Sequence, residues 1–150
     1  MRGPGVHAGY VVKDLALNID LAPTFAALAG ARTPQFVDGR SLAPLLGSNL
    51  PQLKTWRQSL LVEHWRFGTN SSQGFQGLRT QDYLYVEWNS GERELYNLRA
   101  DPYQLQTLHS TAAPSLITQF AARLKEMRRC AGTTCRTAED LFLPKPASAP

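Results

Sequence analysis

The sequence predicts an α+β fold: a four-stranded antiparallel sheet covered by a C-terminal helix and preceded by two short helices. Three observations carry this reading. Four short runs rich in β-branched, aromatic and leucine residues follow one another between residues 59 and 98, separated by turn residues. One long amphipathic stripe follows from Pro114. Two shorter helical patterns occupy the first fifty residues without a sheet of their own.

Each element has a local cause. Gly3-Pro4-Gly5 reads as a turn, and Tyr10-Val11-Val12 as a short extended stretch. Asp20 is placed to cap a helix whose apolar face is Leu21, Phe25, Leu28 and Ala29. Pro23 falls in the tolerated first turn and Gly30 supplies the stop. Ser41 is placed to cap a second short helix carrying Leu42, Leu45 and Leu46 and ending at Gly47. Residues 48–56 read as a polar connector. The first strand runs from Ser59 through Leu60-Leu61-Val62-Glu63-His64-Trp65, and a polar loop spans Phe67 to Gly74. Phe75 to Thr80 and Tyr83 to Trp88 form two strands around the turn Thr80-Gln81-Asp82. Aromatic residues alternate only loosely in the second of these, so both of its faces are expected to be partly covered. Asn89-Ser90-Gly91 signals a hairpin into a fourth strand over Glu92–Leu98. After the turn at Ala100-Asp101-Pro102, Pro114 opens a helix with the stripe Leu116, Ile117, Phe120, Ala121, Leu124 and Met127. Gly132 ends it, and Pro144–Pro150 reads as a tail with nothing to bury.

Composition narrows the function classes. At 150 residues with 43% hydrophobic content, the chain has enough apolar matter for one domain, or for one small domain plus part of another. Sixteen basic against twelve acidic residues give a net charge of +4, with the bases scattered rather than striped. Nucleic acid is therefore not an expected partner. The longest apolar run, Leu21 to Ala29, is broken by Pro23 and too short to span a bilayer, so no membrane span is expected. Arg-Gly-Pro-Gly after Met1 is not the apolar stretch of a signal peptide. Cys130 and Cys135 suggest a small disulfide loop and an oxidising compartment, with two unpaired thiols as the alternative. A disulfide without an export signal is reconciled if the natural N-terminus lies upstream of Met1.

No catalytic centre can be assembled from these residues. His7, His64 and His109 lie far apart, none with a second ligand at metal-binding helical spacing. There is no Gly-x-Ser-x-Gly elbow, no phosphate-cradling glycine loop and no Cys-x-x-Cys pair. Glu92 and Glu94 flank Arg93 and read as a solvated strand face rather than an acid/base pair. Asn70-Ser71-Ser72 matches a glycosylation acceptor, a pattern that matters only in a eukaryotic secretory protein.

The motifs, taken in order, resemble those of the sulfatase family. Arg2-Gly3-Pro4-Gly5-Val6 is similar to the segment ending a core strand, and Asn18-Ile19-Asp20-Leu21-Ala22-Pro23-Thr24 with Leu28-Ala29-Gly30 to the following helix. Asp38-Gly39-Arg40-Ser41-Leu42 with Pro44-Leu45-Leu46 resembles a further family stretch. Glu94-Leu95-Tyr96-Asn97-Leu98 with Ala100-Asp101-Pro102 resembles the last strand and turn of the C-terminal subdomain. The ending Cys130-Ala131-Gly132-Thr133-Thr134-Cys135-Arg136-Thr137 is similar to that of the N-acetylglucosamine-6-sulfatase group. Trp56-Arg57, Leu61-Val62-Glu63 and Leu78-Arg79-Thr80 point the same way.

The resemblance implies an alkaline-phosphatase-like enzyme that uses a formylglycine and calcium to hydrolyse sulfate esters, by nucleophilic attack with a metal Lewis acid. It also implies that those parts precede Arg2. Neither cysteine here begins the Cys/Ser-x-Pro-x-Arg motif from which formylglycine is made, so no catalytic and no calcium residue is carried over. The expected organisation is a catalytic-domain edge over 1–55, holding the two short helices, a C-terminal subdomain over 56–137, and a flexible tail over 138–150. The chain would be inactive alone. Its parent would be secreted, periplasmic or lysosomal and would act on a sulfated sugar or aryl sulfate. In that setting His64, Trp65 and the loop to Gly74 become candidates for the substrate-pocket rim, because an aromatic beside a hydrogen-bonding group suits a sugar face. The rival expectations are a standalone carbohydrate-binding or partner module, and a subunit complementing a separate sulfatase N-terminal domain.

Overall fold

The computed structural model describes residues 2–3, 5–6, 8–46, 56–65 and 72–145. They form two compact units, one from Met1–Arg57 with Cys130–Asp140 and the other from Gln58–Arg129 with Leu141–Pro150.

In the second unit the strands β1 (Ser59–His64), β2 (Phe75–Thr80), β3 (Tyr83–Trp88) and β4 (Arg93–Asn97) pair antiparallel in chain order. The turns follow from their residues. Thr80 Oγ1 accepts the N–H groups of Asp82 and Tyr83, reversing the chain between β2 and β3. Gly91 takes the left-handed conformation, φ +95°, that the β3–β4 hairpin needs, while Trp88 N–H donates to Glu92 O at 2.9 Å. Register then selects the core. Leu78 pairs with Tyr85 and Tyr85 with Leu95, so all three side chains point to one face. Helix α2 (Pro114–Met127) packs against the sheet, presenting Phe120, Leu124 and Met127 from the expected stripe. Phe120 meets Tyr83 edge-on at 5.5 Å and Tyr85 at 6.3 Å. Leu78, Tyr85, Leu95, Phe120 and Leu124 are fully buried. Each such side chain contributes about 1.5–3 kcal/mol by leaving water.

The first unit has little apolar interior. Helix α1 (Leu21–Leu28) begins at Asp20 and stops at Gly30, whose φ is +72°. Asp20 stands in the N-cap position, but its side chain makes no cap hydrogen bond to the helix. Leu21, Phe25 and Leu28, the expected apolar face, are 41%, 62% and 64% exposed, so this face has no cover. The second short helix is a single 3₁₀ turn over Ala43–Leu45, with Ser41 Oγ accepting from Ala43 N–H at 3.1 Å. Its expected end at Gly47 lies outside the described residues, as does most of the 48–56 connector.

One element departs from the sequence reading. Thr133–Asp140 forms a third helix, α3, in which Cys135, Ala138 and Glu139 are buried. The expected tail from residue 138 is therefore helical through Asp140, and Cys130–Asp140 packs with the first fifty-seven residues. Thr133–Asp140 carries no apolar stripe that would announce this helix. Its inward face combines the small apolar Cys135 and Ala138 with buried charge.

Candidate functional site

That charge forms the centre of the first unit. Arg57, with a fully buried side chain, donates from Nη1 to Asp20 Oδ2 at 2.7 Å and from Nη2 to Asp20 Oδ1 at 2.9 Å. Its Nε donates to Glu139 Oε2 at 2.8 Å, which also accepts from Arg40 Nη2 at 2.8 Å. Arg40 Nη1 reaches Asp140 Oδ1 at 2.7 Å, and its guanidinium lies 5.4 Å from the Trp56 ring centre. Asp20 also accepts the N–H groups of Leu17 and Arg40, which explains its absence from the helix cap. Burial raises the Asp20 carboxyl, but Arg57 and those N–H groups outweigh it and hold the group below its usual range. Burial pushes the Glu139 carboxyl up, against the pull of Arg57 and Arg40.

Two glycines let the backbones close around this centre. A Cβ on Gly39 would lie 2.2 Å from the Ile19 carbonyl oxygen. At Gly132 it would lie 2.5 Å from the Gln35 carbonyl oxygen, on a backbone with φ +57°. The Gly132 N–H donates to Asp38 Oδ1, and Arg136 Nη1 donates to the Val37 carbonyl. Cys130 and Cys135 are joined in a disulfide with Cα atoms 4.8 Å apart, bracketing this turn.

These residues do not fit a formylglycine or a calcium ion. Both cysteines are consumed by the disulfide. The Asp20, Glu139 and Asp140 carboxylates face guanidinium groups, and no group of His, Cys, Asp or Glu among the described residues is arranged to hold a metal ion.

The predicted rim residues lie in the second unit. His64 ends β1, and Trp65 follows it with 59% of its surface exposed. Most of the loop after Trp65, including Phe67, Asn70 and Ser71, lies outside the described residues, as does His7. The structure brings His64 together with two residues that sequence reasoning missed. His64 pairs with Phe75 and Phe75 with Trp88, with ring centres 5.7 Å and 5.0 Å apart. With Gln73, these three line an open cleft of about 460 Å³ that Trp65 does not line. The available signal was an aromatic at the start of one strand and another at the end of its hairpin partner. His109 is not part of this group; it stacks on Tyr85 at 6.5 Å. Tyr85 donates to Glu87 Oε1 at 2.8 Å and Arg128 bridges Glu87 Oε2 at 2.9 Å, a structural network under the sheet. Among the described residues no helix is long and apolar enough to cross a membrane.

Comparison with known proteins accounts for the motifs. The family described as N-sulphoglucosamine sulphohydrolase, C-terminal, matches residues 1–130. The N-acetylglucosamine-6-sulfatases of Capra hircus and Homo sapiens are each 34% identical over 171 residues, covering 91% of this chain. The chain spans 30% of the length of each. A solved sulfatase-type structure from Bacteroides thetaiotaomicron superposes with TM-score 0.74 at 22% identity, covering 96% of this chain and 31% of that one. A structure solved with its substrate D-glucosamine-2-N,6-O-disulfate superposes with TM-score 0.64 at 24% identity, covering 81% and 24%. The fold, the ordered motifs and the match over residues 1–130 together show that this chain belongs to the sulfatase family, as a C-terminal sulfatase domain.

Proposed function

We propose that this chain is the C-terminal part of a sulfatase that hydrolyses sulfate esters on sugars, and that it supplies scaffold and pocket rim rather than the catalytic centre. One observation carries the reading: the family match runs over residues 1–130, yet the chain spans only 30% of its relatives' length. The geometry supports it, because the motif residues Asp20, Arg40 and Arg57 are committed to one another and to α3. In this reading the first unit, residues 1–57 with 130–140, belongs to the edge of the catalytic domain and residues 58–129 to the C-terminal subdomain; the boundaries expected at 55 and 137 move because Arg57 pairs with Asp20 and Glu139 inside the first unit. His64 at the end of β1 and Trp65 just after it are the rim residues that face the substrate. Calcium and formylglycine belong to the intact enzyme. The uncovered face of α1 favours a second form of the same reading, in which a separate chain supplies the catalytic part and covers Leu21, Phe25 and Leu28.

Purified chain incubated with an aryl sulfate or with N-acetylglucosamine-6-sulfate, with and without calcium, is expected to release no sulfate. Turnover that disappears on mutating this chain, with contaminating sulfatase excluded, overturns the proposal.

A further inference from the structure

We infer that the aromatic step made by His64, Phe75 and Trp88 binds a neutral pyranose ring adjoining the sulfated one, so that the site reads a sugar chain rather than a single sugar. The inference rests on the pocket-rim reading above. Antiparallel register places the three rings side by side on one sheet face, at the end where β1 leaves the sheet. Cross-strand aromatic pairs ordinarily serve packing. Here they also border an open cleft: His64 is exposed, and Phe75 and Trp88 keep part of their surface accessible.

The lining sets the ligand's chemistry. Among the described residues its lining is two carbon-rich ring faces, Phe75 and Trp88, and two hydrogen-bonding side chains, His64 and Gln73, without a Lys or Arg. A sulfate group gains little where no cation or cluster of N–H donors faces it. A pyranose has the matching pattern. Its axial C–H bonds turn their weak positive charge toward the negative face of an aromatic ring, and its rim hydroxyls exchange hydrogen bonds with an imidazole or amide.

The test is an NMR titration of the full 150-residue chain with the neutral tetraose of N-acetylglucosamine, with N-acetylglucosamine-6-sulfate and with inorganic sulfate. The tetraose is expected to shift the ring resonances of His64, Phe75 and Trp88, while sulfate leaves them unmoved. Trp88→Ala is expected to weaken the tetraose about tenfold, the loss of one ring contact worth roughly 1.4 kcal/mol. His64→Ala, at an exposed strand end, is expected to weaken it while leaving the unfolding midpoint unchanged, which keeps the test valid if Trp88→Ala does not fold. Unmoved ring resonances, unchanged binding in His64→Ala, or displacement of the tetraose by sulfate alone overturns the inference. The hydrolysis assay is read separately: turnover there removes the proposed function without moving these resonances.

Discussion

Arg57 grips Asp20 through two hydrogen bonds of 2.7 and 2.9 Å, with neither side chain open to solvent. Paired guanidinium and carboxylate planes satisfy each other well, but each partner is costly to strand alone. Arg57→Met leaves Asp20 buried without its counter-charge and is expected to cost about 3–5 kcal/mol. Asp20→Asn combined with Arg57→Met is expected to cost less than the two single changes added together, since no buried charge is then unpaired. Urea unfolding of the four proteins checks this, and strict additivity would count against the pair.

The two buried carboxyls give acid dependence of opposite sign. Folding lowers the Asp20 pKa below its ordinary 3.8, so its stabilisation is complete above that value and is lost as pH falls through the folded pKa. Folding raises the Glu139 pKa above its ordinary 4.5, so its contribution is complete below 4.5 and is lost as pH rises through the folded pKa. Glu139→Gln is therefore expected to remove the decline in stability above pH 4.5, and Asp20→Asn to flatten the limb below pH 3.8. The slopes of unfolding free energy against pH report this. An unchanged upper limb in Glu139→Gln would refute the assignment to Glu139.

The contrast between units shows what a local pattern can and cannot reveal. The strands and α2 were legible because alternation, turn residues and the 3.6-residue stripe act within a few positions of each other. Helix α3 was not. Glu139 is buried only because Arg57 and Arg40, 82 and 99 residues earlier, neutralise it, and nothing near residue 139 encodes that. The motif residues Asp20, Arg40 and Arg57 could be recognised by resemblance, while their convergence could not. Phe75 and Trp88 were visible as aromatics, but their alignment with His64 depends on strand register.

Gly39 and Gly132 test the closeness of the backbones in the first unit. Gly39→Ala drives a methyl to 2.2 Å from the Ile19 carbonyl, and backbone on both sides has to move. The expected cost is about 1–3 kcal/mol. Gly132→Ala meets the Gln35 carbonyl at 2.5 Å and adds roughly 1–2 kcal/mol for a side chain in the left-handed region. Gly3→Ala, with nothing within 4 Å, is the neutral control. Thermal unfolding that ranks Gly39→Ala with the control would show that residues 19 and 39 are not in close approach.

The two units should open at different free energies. In the second, Leu78, Tyr85, Leu95, Phe120 and Leu124 are fully buried, so exposing any β3 amide requires giving up an apolar core. In the first, the interior is an ion-pair cluster, which offsets little more than its own desolvation. The apolar face of α1 meanwhile contributes almost nothing, because Phe25 and Leu28 remain mostly in water. Native-state hydrogen exchange is expected to show α1 amides opening at much lower free energy than those at Tyr85 and Val86. That exposed face is also expected to drive association as concentration rises. Addition of a sulfatase N-terminal domain, if it covers α1, would raise protection there and leave β3 unchanged. Equal protection in α1 and β3 of a monomer would mean that the first unit stabilises itself without a covering partner. The uncovered helix face would then give no support to reading this chain as part of a larger enzyme.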